Sequence, residues 1–465
     1  MAANVEFGTY EASDFEDMKS VRVHVDIYFD GTLNNMYNTE HGETQSPTFE
    51  KYGKAKKQNT SYYNDKSNVA RLWEVSTQGT TKIYIDGIGT EKERKDSTMG
   101  YAFGSGDTGV IGKVAIGCDK VVEKVLNEKN SANAKKVELL VLDVFGFSRG
   151  SAAARNFVHE VGRKEHKSRM MPVPVGRTVI LQRQDDDGNP TSLETVPQYG
   201  QLGVKLKAAN VEVDRIIIRF LGIFDTVSSY HPTLSAFPKF DNDVNELHLN
   251  HIGHSMNVVH FTAENEHRTN FSLTHSPFGL EKSLPGVHSD IGGSYKNSIE
   301  VVEEIETTWT DRRKLLPLRD QLVDDGWYQP DQLEITGGNF YFALQGTRLL
   351  RNTYSFIPLH FMAEIGKTKL VQFDTQKLEN EKYSIEKLES GYTQDMADLL
   401  KRVKARLRRY VFDGGPAYSF VPTHVMQPNQ EQQDLRRLRN EFLHWSARRE
   451  GIGMDPNNNR QRIEY

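Results

Sequence analysis

Residues 137–161 read V-E-L-L-V-L-D-V-F-G-F-S-R-G-S-A-A-A-R-N-F-V-H-E-V. Val137 to Phe145 is a nearly unbroken apolar run, the pattern of a strand buried on both faces. Gly146, Ser148 and Gly150 then form a G-x-S-x-G, and Ala152, Ala153, Phe157 and Val161 follow at helical spacing. A strand, a tight turn and a helix are the setting in which a serine is held at a strained corner as a nucleophile. Side chains two positions either side would crowd that corner, and the helix start offers backbone N–H groups to a developing oxyanion. At about 7% each for Gly and Ser, roughly 0.2 such pentapeptides arise by chance in a chain this long. The flanking strand and helix set this one apart from an ordinary Gly-Ser turn.

A serine hydroxyl needs a base to take its proton, and the base needs an acid to fix its tautomer. Val213 to Phe224 (V-D-R-I-I-I-R-F-L-G-I-F) reads as a second core strand, and it ends at Asp225. Acids at the C-terminal ends of such strands lie where ligands bind. Glu281 to Tyr295 then places His288 in a glycine-flanked loop, with Asp290 two residues on as a rival acid. The order Ser148, Asp225, His288 is the α/β-hydrolase order. An earlier strand, Val21 to Phe29, alternates apolar and polar residues and turns at Asp30-Gly31-Thr32. With the N–H of Arg149, the N–H of Gly31 or Thr32 makes a candidate oxyanion hole. This chemistry calls for no metal or cofactor.

The chain has 465 residues, a net charge of −5 and one cysteine, Cys118. The mixed, slightly acidic charge excludes a nucleic-acid binder, and a single cysteine excludes an internal disulfide framework. Residues 1–20 read as a loose acidic leader rather than a signal peptide, and no apolar run reaches the ~20 residues of a membrane span. The expectation is a protein made in the cytoplasm, whose export would not cleave a leader.

Ser67 to Val75 predicts a short amphipathic helix capped by Ser67 or Asn68, and Thr81 to Ile85 a strand. The loop Gly100 to Gly112 ends in Gly-Lys but lacks the earlier glycine and the Ser or Thr of a phosphate loop. Val114 to Leu126 predicts a helix. Residues 164–210 read as an insertion, a hairpin around Asp185-Asp186-Asp187-Gly188, placed to act as a lid or cleft rim; the aspartates lack calcium-loop spacing. In the histidine-rich reach that follows, His251 and His254 are spaced to share a helical face, but no carboxylate or thiol accompanies them at metal-ligand spacing.

The expected fold is α/β: a mostly parallel sheet with helices on both faces over residues 21–297. A helix-rich extension at 298–454 packs on it, and 455–465 reads as a disordered tail. Within the extension, Met396 to Val411 is a basic amphipathic helix, either a solvated face over a core stripe or a lipid-headgroup anchor. Leu435 to Arg449 reads as another basic helix.

Taken together, Phe29-Asp30-Gly31-Thr32 with Asn34, Tyr84 to Thr90, Gly146 to Gly150 with Ala153, Ala154 and Arg155, Phe224 to Val227, and Gly286 to Gly293 come in a familiar order. The set resembles the α/β-hydrolase domain of the bacterial type VI secretion lipase effectors that carry G-F-S-R-G. Ala263 to Arg268 (A-E-N-E-H-R) is similar to that group's A-x-D-E-x-R helix, with Asn265 in place of the acid. The resemblance spans about Val21 to Tyr295. It implies a phospholipase whose triad falls on Ser148, Asp225 and His288, acting on membrane phospholipid as an antibacterial toxin in a neighbour's periplasm. It also implies a secretion spike or adaptor and a cognate immunity protein as partners. The competing readings are an esterase or thioesterase on a soluble ester, a non-catalytic binding protein on a hydrolase scaffold, and an extension that serves mainly as a docking surface.

Overall fold

The computed structural model describes residues 19–55, 59–97, 109–175, 178–228, 244–338, 340–422, 425, 428–449, 454–457 and 459–465. The expected leader, apart from Lys19 and Ser20, and most of the Gly100–Gly112 loop lie outside them. Six parallel strands form the central sheet: β1 (Ser20–Phe29), β2 (Lys82–Ile85), β3 (Lys136–Phe147), β8 (Ile216–Phe224), β9 (Val258–Ala263) and β10 (Leu280–Leu284). Their order is β10-β9-β8-β3-β1-β2. β3 pairs on both sides, with β1 and with β8, so its apolar run is buried on both faces as expected. The strands being parallel, Gly31, Ser148, Asp225 and Glu264 all follow strand ends on one edge of the sheet, where ligands bind in such folds.

Helices cover both faces. On one lie α3 (Val110–Ser131), α4 (Arg149–Gly162) and α5 (Gly200–Ala208), which bring Val114, Val121, Phe157 and Leu202 onto Ile27, Leu142 and Ile223. On the other, α2 (Asn68–Val75), capped by the Ser67 hydroxyl, shares a cluster with Phe145, Phe220 and a large part of the C-terminal extension. The helix α1 (Met36–Glu43) follows β1 and is capped by Asn35.

The extension therefore completes the second layer of the sheet. It holds α7 (Leu316–Asp324), α8 (Phe356–Thr368), α9 (Thr375–Glu379), α10 (Gln394–Phe412) and α11 (Gln430–Glu441). It is less purely helical than expected, because β11 (Ser298–Thr308), β13 (Tyr341–Leu350) and β12 (Leu333–Gly338) form an antiparallel sheet. The charged run Ser298–Thr308 reads as helical because its core residues Val302 and Ile305 stand three apart. A register shift between Val302 and Glu306 lets both face inward from a strand.

The basic helix α10 buries Ala397, Leu400, Val403, Leu407 and Val411, while Arg402, Arg406 and Arg408 pair with Asp434, Glu431 and Glu364. That is the pattern of a solvated face over a core stripe, not of an anchor. Helix α11 stops at Glu441 rather than running on to Arg449. Trp445, which follows that helix, is buried inside the chain, edge-on to Trp327 and His267. No described helix is long and apolar enough to cross a membrane.

Two segments depart from expectation more sharply. The insertion at 164–210 is shorter than predicted, because Leu202 and Leu206 make α5 part of the core. What remains is an arm of β4 (His166–Lys167), β5 (Arg169–Val175), β6 (Thr178–Gln184) and β7 (Thr195–Val196), with β5–β6 a hairpin and β4–β7 a short ladder. It leaves the C-terminal end of α4, about 21 Å along that helix from Ser148, so the expected lid is rooted away from the serine. The tail, expected to be disordered, lies along residues 267–275. Backbone bonds join Thr269 N to Asp455 O, Asn457 N to His267 O, Leu273 N to Ile463 O and Tyr465 N to Leu273 O, at 2.9–3.0 Å.

Candidate active site

Ser148 caps α4 with φ 59° and ψ −130°, a left-side backbone conformation that a serine adopts only under constraint. The surroundings supply the constraint. Ser148 N–H donates to Phe224 O at 3.0 Å, and Ser148 O accepts from Ser151 N at 3.0 Å. The flanking glycines are needed sterically: a Cβ on Gly146 would lie 2.6 Å from Ser151 Cα, and one on Gly150 would lie 2.3 Å from Asp30 O. Backbone cannot yield as a side chain can, so α4 and the end of β1 approach this closely only without those side chains.

Asp225, the residue after β8, is also held at positive φ, 43°. It is fully buried, and its Oδ2 accepts from His288 Nδ1 at 2.5 Å. A carboxylate only accepts, so Nδ1 carries the proton and Nε2 is left as a base. His288 opens the short helix α6 (His288–Gly292), and its ring packs against Phe147, the neighbour of Ser148, at 4.6 Å, and edge-on to Phe271 at 5.0 Å. The structure thus brings the serine turn, the acid and the histidine together. Burial pushes His288 below the ordinary histidine range, against the pull of Asp225. Burial alone would raise Asp225, but Arg462 and His288 outweigh it and hold the acid well below the carboxylate range.

The rival acid points elsewhere. Asp290 Oδ2 accepts from Val287 N at 3.0 Å and His444 N at 3.1 Å, and its Oδ1 lies 2.7 Å from His444 Nδ1. It therefore ties the loop to the extension and makes no bond to His288.

The expected oxyanion donors divide. Gly31 N–H is committed to Asp30 Oδ1 at 2.7 Å, which removes it. Asp30 also accepts from Ser67 Oγ and Tyr84 OH, each at 2.5 Å. Its burial raises its carboxyl to about 6 despite those bonds. Thr32 is linked across to the serine turn, its Oγ1 accepting from Arg149 Nε at 2.7 Å. Arg149 takes the first position of α4. Of the donors expected from the sequence, Thr32 and Arg149 stay as candidates.

Three supporting residues escape the sequence reading. Arg462, in the tail, grips Asp225 with both terminal nitrogens, Nη1 to Oδ1 at 2.6 Å and Nη2 to Oδ2 at 2.8 Å. Glu266, fully buried, accepts from the His288 backbone N–H at 3.2 Å, from Arg268 Nη2 at 2.8 Å and from Ser446 Oγ at 3.1 Å. Burial opposes its charge, but Arg268 outweighs that and keeps it ionised. Residues 263–268 form the end of β9 and a turn, not a helix. Within them Asn265, the departure from the expected acid, accepts from Gly286 N at 2.8 Å and so fixes the loop that carries His288. Glu266 and Arg268 were visible in A-E-N-E-H-R as a motif without a role. Arg462 is one of two arginines in a polar tail, with no motif to single it out.

Arg155, on α4 and fully buried, donates to Leu249 O at 2.7 Å and Thr274 O at 3.0 Å and so ties that helix to both segments. The surface depressions lined by Thr77, Leu370 and Phe373 and by Arg22, His24 and Gln78 are remote from the triad, the latter at the opposite edge of the sheet.

A parallel sheet with a strained serine turn at the C-terminal end of its central strand defines an α/β-hydrolase-like fold. Residues 27–312 match the family described as "T6SS, Phospholipase effector Tle1-like, catalytic domain". The chain belongs to that family of type VI secretion phospholipase effectors. The solved structure of a Tle1 effector bound to the VgrG spike of the type 6 secretion system matches with a TM-score of 0.57 at 19% identity, over 96% of this chain and 94% of that one. An uncharacterized protein from Pseudomonas aeruginosa matches with a TM-score of 0.39 at 18% identity, over 85% of this chain and 52% of that one. No curated protein matches.

Proposed function

We propose that the chain is a serine phospholipase of the A type, with Ser148 as nucleophile, His288 as general base and acid, and Asp225 as its orienter. One observation carries the reading: the buried His288–Asp225 pair at 2.5 Å, beside a serine held at φ 59°, in a phospholipase effector family. In the first half-reaction Ser148 Oγ attacks the acyl carbonyl carbon while its proton passes to His288 Nε2. The N–H groups of Arg149 and Thr32 receive the oxyanion. Collapse expels the lysophospholipid alkoxide, which takes the proton from His288, and leaves an acyl-serine. Water, deprotonated by His288, then releases the fatty acid and restores Ser148.

The substrate is membrane glycerophospholipid, and the toxin acts on a target cell's periplasmic membrane after delivery. The relative bound to a VgrG spike supports a spike or adaptor as the delivery partner, and a producer of such a toxin needs a cognate immunity protein.

The test is fatty-acid release from phosphatidylethanolamine and phosphatidylglycerol vesicles, wild type against Ser148→Ala, with short-chain soluble esters in parallel. Release by the wild type that falls by about 10⁴-fold or more in the variant supports the reading. Cleavage of soluble esters without vesicles replaces it with an esterase, and no cleavage of either with a binding role.

A further inference from the structure

Where the arm joins α4, four metal-ligand side chains from three separate stretches of chain meet. His159 comes from the last turns of α4, Asp187 from the turn after β6, and His248 and His251 from the segment that begins at residue 244. The three imidazoles offer nitrogens that all lie within 4.8 Å of one another. Their rings pack closely, with centroids 4.3 Å apart for His159–His248, 5.2 Å for His159–His251 and 5.3 Å for His248–His251. Asp187 Oδ2 lies 2.9 Å from His159 Nε2, and Asp187 Oδ1 lies 3.5 Å from His248 Nε2.

Those spacings suit a shared ion. Ligands about 2.0–2.1 Å from zinc at tetrahedral angles stand roughly 3.3 Å apart. A simple His159–Asp187 hydrogen bond would account for one pair but not for two further imidazoles drawn to the same place. Three nitrogens and one carboxylate oxygen favour zinc over calcium or magnesium, which want oxygen ligands.

The carboxylate is also held from behind, as an outer shell holds a ligand. Arg163 Nη1 lies 3.2 Å from Asp187 Oδ2 and donates to Glu160 Oε1 at 3.1 Å, while Nη2 donates to Asp185 Oδ2 at 2.9 Å. Asp185 Oδ1 in turn accepts from Asp187 N at 3.1 Å. Arg163 thus shares Oδ2 with His159, while Oδ1 faces His248.

The arm has reason to need a tie. Among the described residues, none from 164 to 196 belongs to either core cluster, so the arm is fastened by its charged root. We propose that His159, His248, His251 and Asp187 form a structural zinc site that fastens the arm and the segment 244–255 onto the helix that starts at Ser148. The site lies at the far end of that helix from the serine and takes no part in ester chemistry.

The test uses the full-length chain without a polyhistidine tag. Metal content is measured by plasma mass spectrometry, and melting temperature is followed after chelation and after return of zinc, calcium or magnesium. The variants are His248→Ala and His251→Ala, with His254→Ala and His288→Ala as controls. His251 is exposed and His248 partly so, so their replacement leaves folding intact. His254 packs against Gly162 outside the cluster. The expected result is one zinc per chain in the wild type and both controls, and less than about a tenth of that in the two cluster variants. Chelation should lower the wild-type melting temperature by about 3–5 °C, reversed by zinc alone, and leave the cluster variants unmoved. Zinc that neither co-purifies nor raises the melting temperature of the chelated wild type overturns the proposal. So does zinc retained in His251→Ala, or lost equally in His288→Ala.

Discussion

The arm at 164–196 and the tail at 454–465 are both appendages to the hydrolase core, and they are fastened in opposite ways. The tail is short and polar, yet it is bound by a ladder of backbone bonds to residues 267–275, and its Arg462 side chain is 4% exposed against the fully buried Asp225. The arm is longer and carries apolar residues, yet Val179 and Leu181 are each 68% exposed. Among the described residues it is tied at its root, where Arg163 meets Glu160, Asp185, Asp186 and Asp187. Hydrophobicity therefore does not decide which appendage is integral. A buried charge that must be matched does, because leaving Asp225 unpaired would cost more than ordering a few polar residues.

The sharpest way to break this comparison is Arg462→Ala. It strands a buried carboxylate with one fewer cation, so we expect about 3–5 kcal/mol of lost stability by chemical denaturation. We also expect a fall of about 10–100-fold in kcat, the range for removing a group that orients a functional side chain. Loss of a neighbouring cation should also raise the pKa of His288, moving the acid limb of the activity profile to higher pH. A purely structural tail would leave that limb in place, and Arg462→Lys should recover part of both effects.

A second measurement separates the two appendages by acid. The folded pKa of Asp225 is depressed below its ordinary value of 3.8, so its contribution to stability is present above pH ~4 and is lost as pH falls through the folded value. Melting temperature between pH 7 and 3 should therefore fall more steeply for the wild type than for Arg462→Ala. Equal slopes would mean that the pair contributes nothing.

Third, His288 lies below 6.5 in the folded protein. It must be neutral to accept the serine proton, so the acid limb of kcat/KM should have its midpoint below pH 6.5. A midpoint at pH 7 or above would mean that Asp225 dominates burial at this site.

The smallest effect belongs to the arm. Replacing residues 172–181 by a two-residue turn removes a stretch whose described side chains belong to neither core cluster. Stability should stay within about 0.5 kcal/mol, and soluble-ester hydrolysis should be unchanged. A large loss in either would show that the hairpin is integral after all.

Legibility followed how local each constraint is. The serine turn was readable because strand, glycines and helix are adjacent in the chain, and the sterics of Gly146 act within five residues, whereas Gly150 answers to the close approach of Asp30 from the end of β1. Asp225 and His288 were readable because each ends or follows a recognisable element. Gly31 and Asp290 were not separable from their neighbours, since the outcome depends on which carboxylate captures which N–H. Asp30 captured the N–H of Gly31, and His444, from far along the chain, captured Asp290. The strand Ser298–Thr308 was obscured by a register shift that no residue pattern announces.

By itself the sequence determined the parallel α/β sheet, the order of Ser148, Asp225 and His288, and the family. All three rest on periodicity and short motifs, which local backbone geometry enforces. Only the tertiary structure decided that a polar tail reaches the buried Asp225, that an insertion is rooted away from Ser148, and that His159, Asp187, His248 and His251 share one place. Those outcomes turn on pairings across roughly 30 to 240 residues, where the matching of buried charge, rather than any local pattern, chooses the partner.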